Sequence, residues 1–305
     1  MIKYILVIAV LFISCTQQLV TTPDFSAENA FRYIEEQVAF GPRVPGSEAS
    51  AKARDYFYNH FQSRGFEIDS MTFDYDDAYS ANIIPMVNVI ARYNGNADDK
   101  DRILLCAHYD SRPRTDHAVD RSKYNDPIDG ANDGGSGVAV LMELANLFQR
   151  QSPKVNLDIV LFDGEDWGMS GDPANYLIGS RAFAKTGIRE RYKFGILLDM
   201  IADNDQKIYR EAYSERYAKK VSDMLFTNAF DLGITTFIDS MGPAVLDDHI
   251  PLNAAGVPTV DLIDMDYKYW HTEFDIPENC SVEALDNIGK LITRVVYNKN
   301  LWPNL

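Results

Sequence analysis

The sequence predicts an α/β domain with a mostly parallel central sheet and helices on both faces. Four short runs rich in Ile, Leu and Val recur along the chain, at 103–107, 159–162, 194–198 and 257–263. Stretches in which apolar residues have helical spacing separate these runs. Such an alternation is typical of parallel strands that helices cover on both sides.

The helices are indicated by apolar residues that recur every three or four positions. A first helix is predicted to begin after Ser26, a suitable cap, and to include Phe31, Ile34 and Val38. The Pro- and Gly-rich segment 40–47 ends it. The next helices are predicted over 53–61, ending near Gly65, and over 137–148 and 215–230.

The composition is that of a globular chain without internal divisions. Of 305 residues, 46% are apolar and 24% are charged, and no repeat, low-complexity tract or linker is evident. We predict a signal peptide over 1–14, a tether over 15–25 and a single domain over 26–305. The net charge of −16 argues against nucleic acid as a partner, because such binding depends on Lys and Arg.

The N-terminal segment indicates export. Lys3 precedes an apolar run over 5–13 that is too short to span a bilayer. The following Ser14-Cys15 resembles a bacterial lipobox, although Phe12 stands where Leu is usual. The resemblance implies a lipoprotein anchored to the membrane at Cys15. No run of Asp or Glu follows this cysteine, which favours the periplasmic face of the outer membrane. The alternative is an ordinary signal peptide with a chance cysteine.

Two further cysteines remain, Cys106 in an apolar strand and Cys280 in a polar loop. Their placement predicts no structural disulfide, even in an exported protein.

Acidic residues and histidines cluster where the predicted strands end. Any one of them is commonly a cap or a solvated group, but parallel strands bring their carboxyl ends to one crevice. The set therefore predicts a single site. It comprises His108 and Asp110 after the first strand, Asp133 in the Gly-rich loop 130–136, Asp163, Glu165 and Asp166 after the second strand, Asp199 at the end of the third, and His271 after the fourth.

Carboxylate and imidazole ligands without thiolates suit a catalytic zinc ion that keeps an open coordination position. The adjacent pair Glu165-Asp166 adds a second function. Neighbouring carboxylates on a turn can diverge, so that one binds metal while the other stays free to transfer protons.

Six ordered motifs resemble the zinc aminopeptidase superfamily over about residues 30–295. They are His108-Tyr-Asp110-Ser, Gly130-Ala-Asn-Asp133, Asp163-Gly-Glu165-Asp166, Ile178-Gly-Ser180, Leu198-Asp199-Met and Trp270-His271-Thr. The resemblance implies that 26–305 is a zinc-dependent catalytic domain.

Within that superfamily the resemblance leaves two branches open. Two-zinc aminopeptidases would use His108, Asp133, Asp166, Asp199 and His271 as ligands. Glutaminyl cyclases of the animal type bind one zinc ion, for which the resemblance implies Asp133, Asp166 and His271. It further implies Glu165 as the general acid and base, with Asp199 and Asp247 in a hydrogen-bond network beside it.

Two segments favour the cyclase. Residues 246–252, Leu-Asp-Asp-His-Ile-Pro-Leu, resemble a cyclase segment with paired aspartates. Trp270 directly precedes His271, as the substrate-contacting tryptophan of cyclases does, although a plain packing role is the alternative.

Three features depart from the animal cyclases. Asp166 replaces the usual Glu, and Asp261 stands where His is common. The loop over 112–129 has no clear counterpart and is a candidate for lining the site.

The expected activity is conversion of the N-terminal glutamine of peptides and proteins to pyroglutamate with release of ammonia, by an enzyme with one zinc ion per chain. The alternatives are a two-zinc aminopeptidase that removes N-terminal residues, and a non-catalytic binding protein on the same scaffold.

Overall fold

The computed structural model describes residues 22–96 and 100–305. The predicted signal peptide and lipidated Cys15 lie outside these residues. None of the described helices combines the length and the apolar character needed to cross a membrane.

Eight strands are present in the described part of the chain. In chain order they are β1 (Glu67–Asp76), β2 (Ile83–Asn94), β3 (Arg102–His108), β4 (Asn156–Phe162), β5 (Gly195–Asp199), β6 (Ile208–Arg210), β7 (Phe237–Met241) and β8 (Thr259–Ile263).

Six of the strands form one mixed sheet in the order β1-β2-β4-β3-β5-β8. The four strands from β4 to β8 are parallel, whereas β1 and β2 are antiparallel to their neighbours. β6 and β7 pair separately as a small parallel sheet.

The described helices are α1 (Ala27–Val38), α2 (Glu48–Gln62), α3 (Ser136–Arg150), α4 (Ile178–Ala184), α5 (Ala212–Tyr217), α6 (Lys219–Asp231), α7 (His249–Ala254) and α8 (Val282–Tyr297). Ser26 caps α1 as predicted, because its hydroxyl accepts the N–H of Asn29. The single helix predicted over 215–230 is instead two, because the backbone at Ala218 leaves the helical region between α5 and α6.

Apolar side chains cover both faces of the sheet. Along β3, Ile103, Leu105 and Ala107 belong to the larger core cluster, which includes residues of α1, α2, α3, α6 and α8. Leu104 and Cys106 point to the opposite face, where they join a smaller cluster with residues of α4 and α7. Strands buried on both faces read as continuous apolar runs, which is why the sequence revealed them.

The predicted fold class is confirmed, and all four predicted strands are present as β3, β4, β5 and β8. β1 and β2 were not predicted, although Met71, Phe73 and Tyr75 alternate with polar residues as strand residues do. Both cysteines in the described residues are buried free thiols.

The carboxyl ends of the parallel strands lie together. His108 pairs with Phe162, the last residue of β4, and Asp199 pairs with Ile263, the last residue of β8. At this edge α3 approaches β5 closely, since a Cβ atom on Gly137 would lie 2.1 Å from the carbonyl oxygen of Leu198. The register and this close packing bring the chain segments after each strand to one place.

Candidate functional site

A cavity of about 400 Å³ opens at the carboxyl edge of the sheet. All the residues predicted for the one-zinc site line it, and they are Asp133, Glu165, Asp166, Asp199, Asp247, Trp270 and His271. His108, the further ligand of the two-zinc alternative, lies behind them and contacts Asp133 and Asp199. The tertiary structure therefore brings these residues together, while their individual roles remain predictions.

Asp133 lies between the two histidines. Its Oδ1 is 3.2 Å from Nε2 of His108, and its Oδ2 is 3.8 Å from Nε2 of His271. Nε2 of His108 is also 3.1 Å from Asp199, and Nε2 of His271 is 3.4 Å from Asp166. One carboxylate thus connects two groups of possible metal ligands.

Two side chains hold the loop that carries Asp133 by binding its backbone groups. Asp275 accepts the N–H groups of Asn132 and Asp133, at 2.8 and 3.1 Å, and the hydroxyl of Tyr267. On the other side, the buried guanidinium of Arg43 donates to the carbonyl oxygens of Asp129 and Gly130. Neither Asp275 nor Arg43 was singled out from the sequence, because contacts to backbone groups of a distant loop leave no local sequence pattern.

Glu165 and Asp166 lie on a tight turn after β4. Gly164 there has φ 71°, a conformation that favours glycine. Asp110 accepts the N–H groups of both residues, at 3.1 and 3.2 Å. The turn is thereby fixed in place, and both side chains line the cavity.

Three non-glycine residues in the described chain have positive φ angles, and each adjoins the site. They are His271 itself, Met200 directly after Asp199, and Leu177, whose N–H donates to the carbonyl of Glu165. Left-handed backbone at such residues costs on the order of 1–3 kcal/mol each, and it concentrates at functional sites.

The paired aspartates lie beside a buried charged cluster. Asp247 accepts the N–H of Asp248 through Oδ1 and lines the cavity. Behind it, His249 is 3.6 Å from Asp261 through Nδ1 and 3.1 Å from Glu211 through Nε2. The position that departs from the animal cyclases, Asp261, is therefore part of the buried surroundings of Asp247.

The 112–129 segment supplies two residues that the sequence did not identify. Arg112 donates to Oδ1 of Asp166 at 2.5 Å and to both oxygens of Asp116. Asp116 lies 3.3 Å from Nδ1 of His271 and lines the cavity. The signal that could have revealed them is the run Arg-Pro-Arg-Thr-Asp over 112–116, which closely follows the predicted strand 103–107.

The rest of the cavity wall is largely apolar. It includes Tyr176, Met200, Val245, Leu246, Ile263, Met265 and Trp270. The ring of Trp270 lies 4.0 Å from that of His271 and meets His117 edge-on at 5.0 Å. Trp270 therefore forms a cavity wall next to the predicted metal ligand.

Burial makes the charges of the site interdependent. It raises the pKa of Glu165 well above its ordinary value, and the neighbouring charge of Asp166 raises it further. Burial likewise raises the pKa of Asp199 and of Asp247. Burial alone would lower the pKa of His271, but Asp166 and Asp116 outweigh it and raise that pKa to about 9. The surplus of carboxylates makes this a site that attracts cations.

Three groups of ligand atoms in the described chain could hold a metal ion. Within each group, one atom from every residue lies within 4.8 Å of the others. The first is His108, Asp133 and Asp199, the second is Asp133, Asp166 and His271, and the third is Asp247, His249 and Asp261 in the buried cluster beside the cavity. In the second group, Oδ1 of Asp166 lies 3.4 Å from Nε2 of His271, and Oδ2 is buried without a hydrogen-bond partner in the described chain.

The comparison with known proteins identifies the family. The model of peptidase family M28 matches residues 88–296, which is more than half of the chain. The chain belongs to peptidase family M28.

Solved M28-like structures share the fold over almost the whole chain. The glutaminyl cyclase of Tannerella forsythia is 37% identical with a TM-score of 0.85, over 90% of this chain and 99% of that one. The leucine aminopeptidase precursor of Bacteroides thetaiotaomicron is 32% identical with a TM-score of 0.87, over 92% of this chain and 99% of that one. Among curated proteins, the glutaminyl-peptide cyclotransferase of Gloydius blomhoffii is 28% identical over 82% of this chain and 75% of its own length. The M28 relatives thus include both branches that the sequence left open.

Proposed function

We propose that this M28 protein is a glutaminyl-peptide cyclotransferase with one zinc ion. The observation that carries the choice is the position of Asp247. It lines the same cavity as Glu165 and Asp199, and the N–H of Asp248 fixes it there. Three buried carboxyl groups beside the proposed ligands suit a reaction that moves protons between two nitrogens of one substrate. The cyclases among its relatives support the same choice.

Asp133, Asp166 and His271 would hold the zinc ion. Two carboxylates and one imidazole are ligands that suit catalytic zinc, and they leave a coordination position for substrate. When bound there, zinc supplies a Lewis acid that polarises the γ-carbonyl group of the substrate glutamine.

Glu165 transfers the proton in the proposed reaction. As a carboxylate it accepts a proton from the α-amine of the substrate, while that nitrogen attacks the γ-carbonyl carbon. The new C–N bond closes the five-membered lactam. When the bond to the γ-amide nitrogen breaks, Glu165 returns the proton and ammonia leaves. Asp199 and Asp247 favour proton uptake by Glu165 through their negative charge, because all three groups lie in a buried site.

The apolar wall would position the substrate. Trp270, Leu246 and Met200 surround the proposed zinc ligands, where they can contact the aliphatic stem of a glutamine side chain. Exclusion of water by such a wall would also favour attack by the α-amine over hydrolysis of the amide.

A two-zinc aminopeptidase is the second candidate. His108, Asp133 and Asp199 have the geometry for another metal ion, and the leucine aminopeptidase precursor is a close structural relative. In that case the substrate would be any peptide with a suitable N-terminal residue, and Glu165 would act on a water molecule.

One experiment tests the two candidates together. Purified protein is assayed for ammonia release from a Gln-initiated peptide and for cleavage of a Leu-initiated fluorogenic substrate, while bound zinc is counted per chain. We expect cyclisation, no cleavage and one zinc ion, which a His108→Gln variant retains. Leu cleavage with two zinc ions, one of them lost in His108→Gln, would establish the aminopeptidase instead.

A further inference from the structure

Arg112 is a buried cation that contacts a proposed zinc ligand. Its side chain is 0% exposed and that of its partner Asp116 is 4% exposed. Burying such a pair is costly unless the geometry satisfies every polar group. The hydrogen-bond partners of Arg112 therefore indicate its function in the site.

Every N–H group of the Arg112 guanidinium has an acceptor. Nε and Nη2 donate to the two oxygens of Asp116, at 2.8 and 2.6 Å, and Nη2 also donates to the hydroxyl of Tyr176 at 3.0 Å. Nη1 donates to the carbonyl oxygen of Asp166 at 3.1 Å and to its Oδ1 at 2.5 Å. A guanidinium has five such donors in one plane, so its orientation is fully determined.

These contacts reach two of the three proposed ligands. Arg112 binds Oδ1 of Asp166, the oxygen that also lies 3.4 Å from Nε2 of His271. Asp116 links Arg112 to Nδ1 of His271, at 3.3 Å, so that Nε2 of His271 faces Asp133 and Asp166. A carboxylate on the outer nitrogen of a ligand histidine fixes its tautomer and its ring orientation.

The same loop also contacts the two chain segments that carry the proposed ligands Asp166 and His271. Arg114 donates to the carbonyl oxygens of Trp167 and Gly168, directly after Asp166. The N–H of His117 donates to the carbonyl of His271 at 3.1 Å. The loop thus contacts both ligand segments with side chains and with main chain.

We propose that Arg112 and Asp116 are positioning residues of the zinc site: Arg112 holds the carboxylate of Asp166 through Oδ1, and Asp116 orients His271. The proposal rests on the proposed zinc site but not on cyclisation as the reaction. It assigns a function to the 112–129 loop. It also accounts for Asp166 in place of the longer Glu, because Arg112 holds the Asp166 carboxylate in position.

The test measures zinc affinity in Asp116→Asn and Arg112→Lys variants by competition with a chromophoric chelator, and records the visible spectra of the Co²⁺-substituted proteins. Asp116→Asn keeps the side-chain shape, and Arg112→Lys keeps the charge but loses the planar fork. We expect zinc affinity to fall about 10- to 100-fold in both. The Co²⁺ spectrum of Arg112→Lys should also change, because Lys cannot hold the Asp166 carboxylate in the same orientation and the coordination geometry is thereby altered.

Matched controls come from the amino-terminal halves of the central strands β3 and β4, away from the cavity. Arg102 and Asp158 form a similar pair at 2.6 Å, with side chains 16% and 0% exposed. Arg102→Lys and Asp158→Asn should lower stability but leave zinc affinity and the Co²⁺ spectrum as in the wild type.

Unchanged affinity and spectra in both site variants would overturn the proposal. An affinity that rises in Arg112→Lys would overturn it as well, because the fork of Arg112 would then hold Asp166 in an orientation that disfavours the metal. Wild-type protein without zinc would refute the zinc site itself. Wild-type protein that binds zinc but fails to cyclise glutamine would refute the proposed function and leave this proposal standing if the affinities fall.

Discussion

Glu165 combines burial with access to the cavity. Its side chain lies at the cavity wall although the residue is only 9% exposed. The N–H of Glu165 is bound by Asp110 and its carbonyl by the N–H of Leu177. At the scale of single residues, these contacts hold the backbone of Glu165 in place while its side chain reaches the cavity.

We expect Glu165→Gln to lower kcat for cyclisation by about 10²–10⁴-fold, because the amide is nearly isosteric but cannot accept the proton. Bound zinc and the unfolding transition should stay near wild type. Glu143→Gln is the control, since Glu143 is buried in α3 and pairs with Arg150. Cyclisation by Glu165→Gln within a few-fold of wild type would remove Glu165 from the mechanism.

At the scale of elements, the packing of α2 on α3 includes a buried histidine. His60 is 5% exposed and hydrogen-bonds through Nε2 to the carbonyl oxygen of Met142 at 2.8 Å. Burial lowers the pKa of His60 to about 3. The interface thus requires an uncharged imidazole.

This histidine makes stability depend on pH in a defined direction. Below about pH 6.5 the unfolded chain binds a proton at His60 that the folded chain does not accept until about pH 3. Stability from this group therefore falls as the pH decreases through that window, by about 1.4 kcal/mol per pH unit.

A His60→Gln variant keeps a side-chain donor for Met142 but does not titrate. Urea unfolding at pH 6.5 and 5.5 should show that the wild type loses about 1 kcal/mol more than the variant over this unit. Phe61→Leu, at the neighbouring buried position, should be destabilised equally at both pH values. Equal pH dependence of wild type and His60→Gln would contradict the assigned state of His60.

The whole molecule is acidic, and its cavity gathers many of the charged groups. The net charge is −16, and nine acidic and histidine side chains line the cavity at the carboxyl edge of the sheet, where Arg112 binds one of them, Asp166. The parallel strands make this convergence possible, because each contributes the segment that follows its carboxyl end.

At the same scale, we predict that Cys15 anchors the protein to the membrane. The wild type should sediment with membranes and incorporate labelled fatty acid, because a small residue directly precedes this cysteine after the short apolar run. Cys15→Ala should lose the label and either leave the membrane fraction or remain unprocessed. A wild type that is wholly soluble and unlabelled after fractionation would contradict the prediction.

The sequence by itself determined the parallel strands and the residues that end them. Runs such as 103–107 and 159–162 are apolar throughout because both faces of each strand are buried. Such runs are followed directly by His108 and Asp199, and after two intervening residues by the Glu165-Asp166 pair. The local pattern was therefore sufficient to place these residues in one predicted site. The antiparallel strands β1 and β2 were missed, because their half-exposed pattern is weaker than a continuous apolar run.

Only the tertiary structure decided what surrounds the proposed ligands. Arg112 and Asp166 are 54 residues apart, and Asn132 and Asp275 are 143 apart. Nothing in the local pattern around an arginine or an aspartate specifies such a partner, since a polar residue in a loop is usually solvated. Burial makes the difference: once the sheet and its loops enclose these groups, each charge must find a partner, and the fold determines which one is within reach.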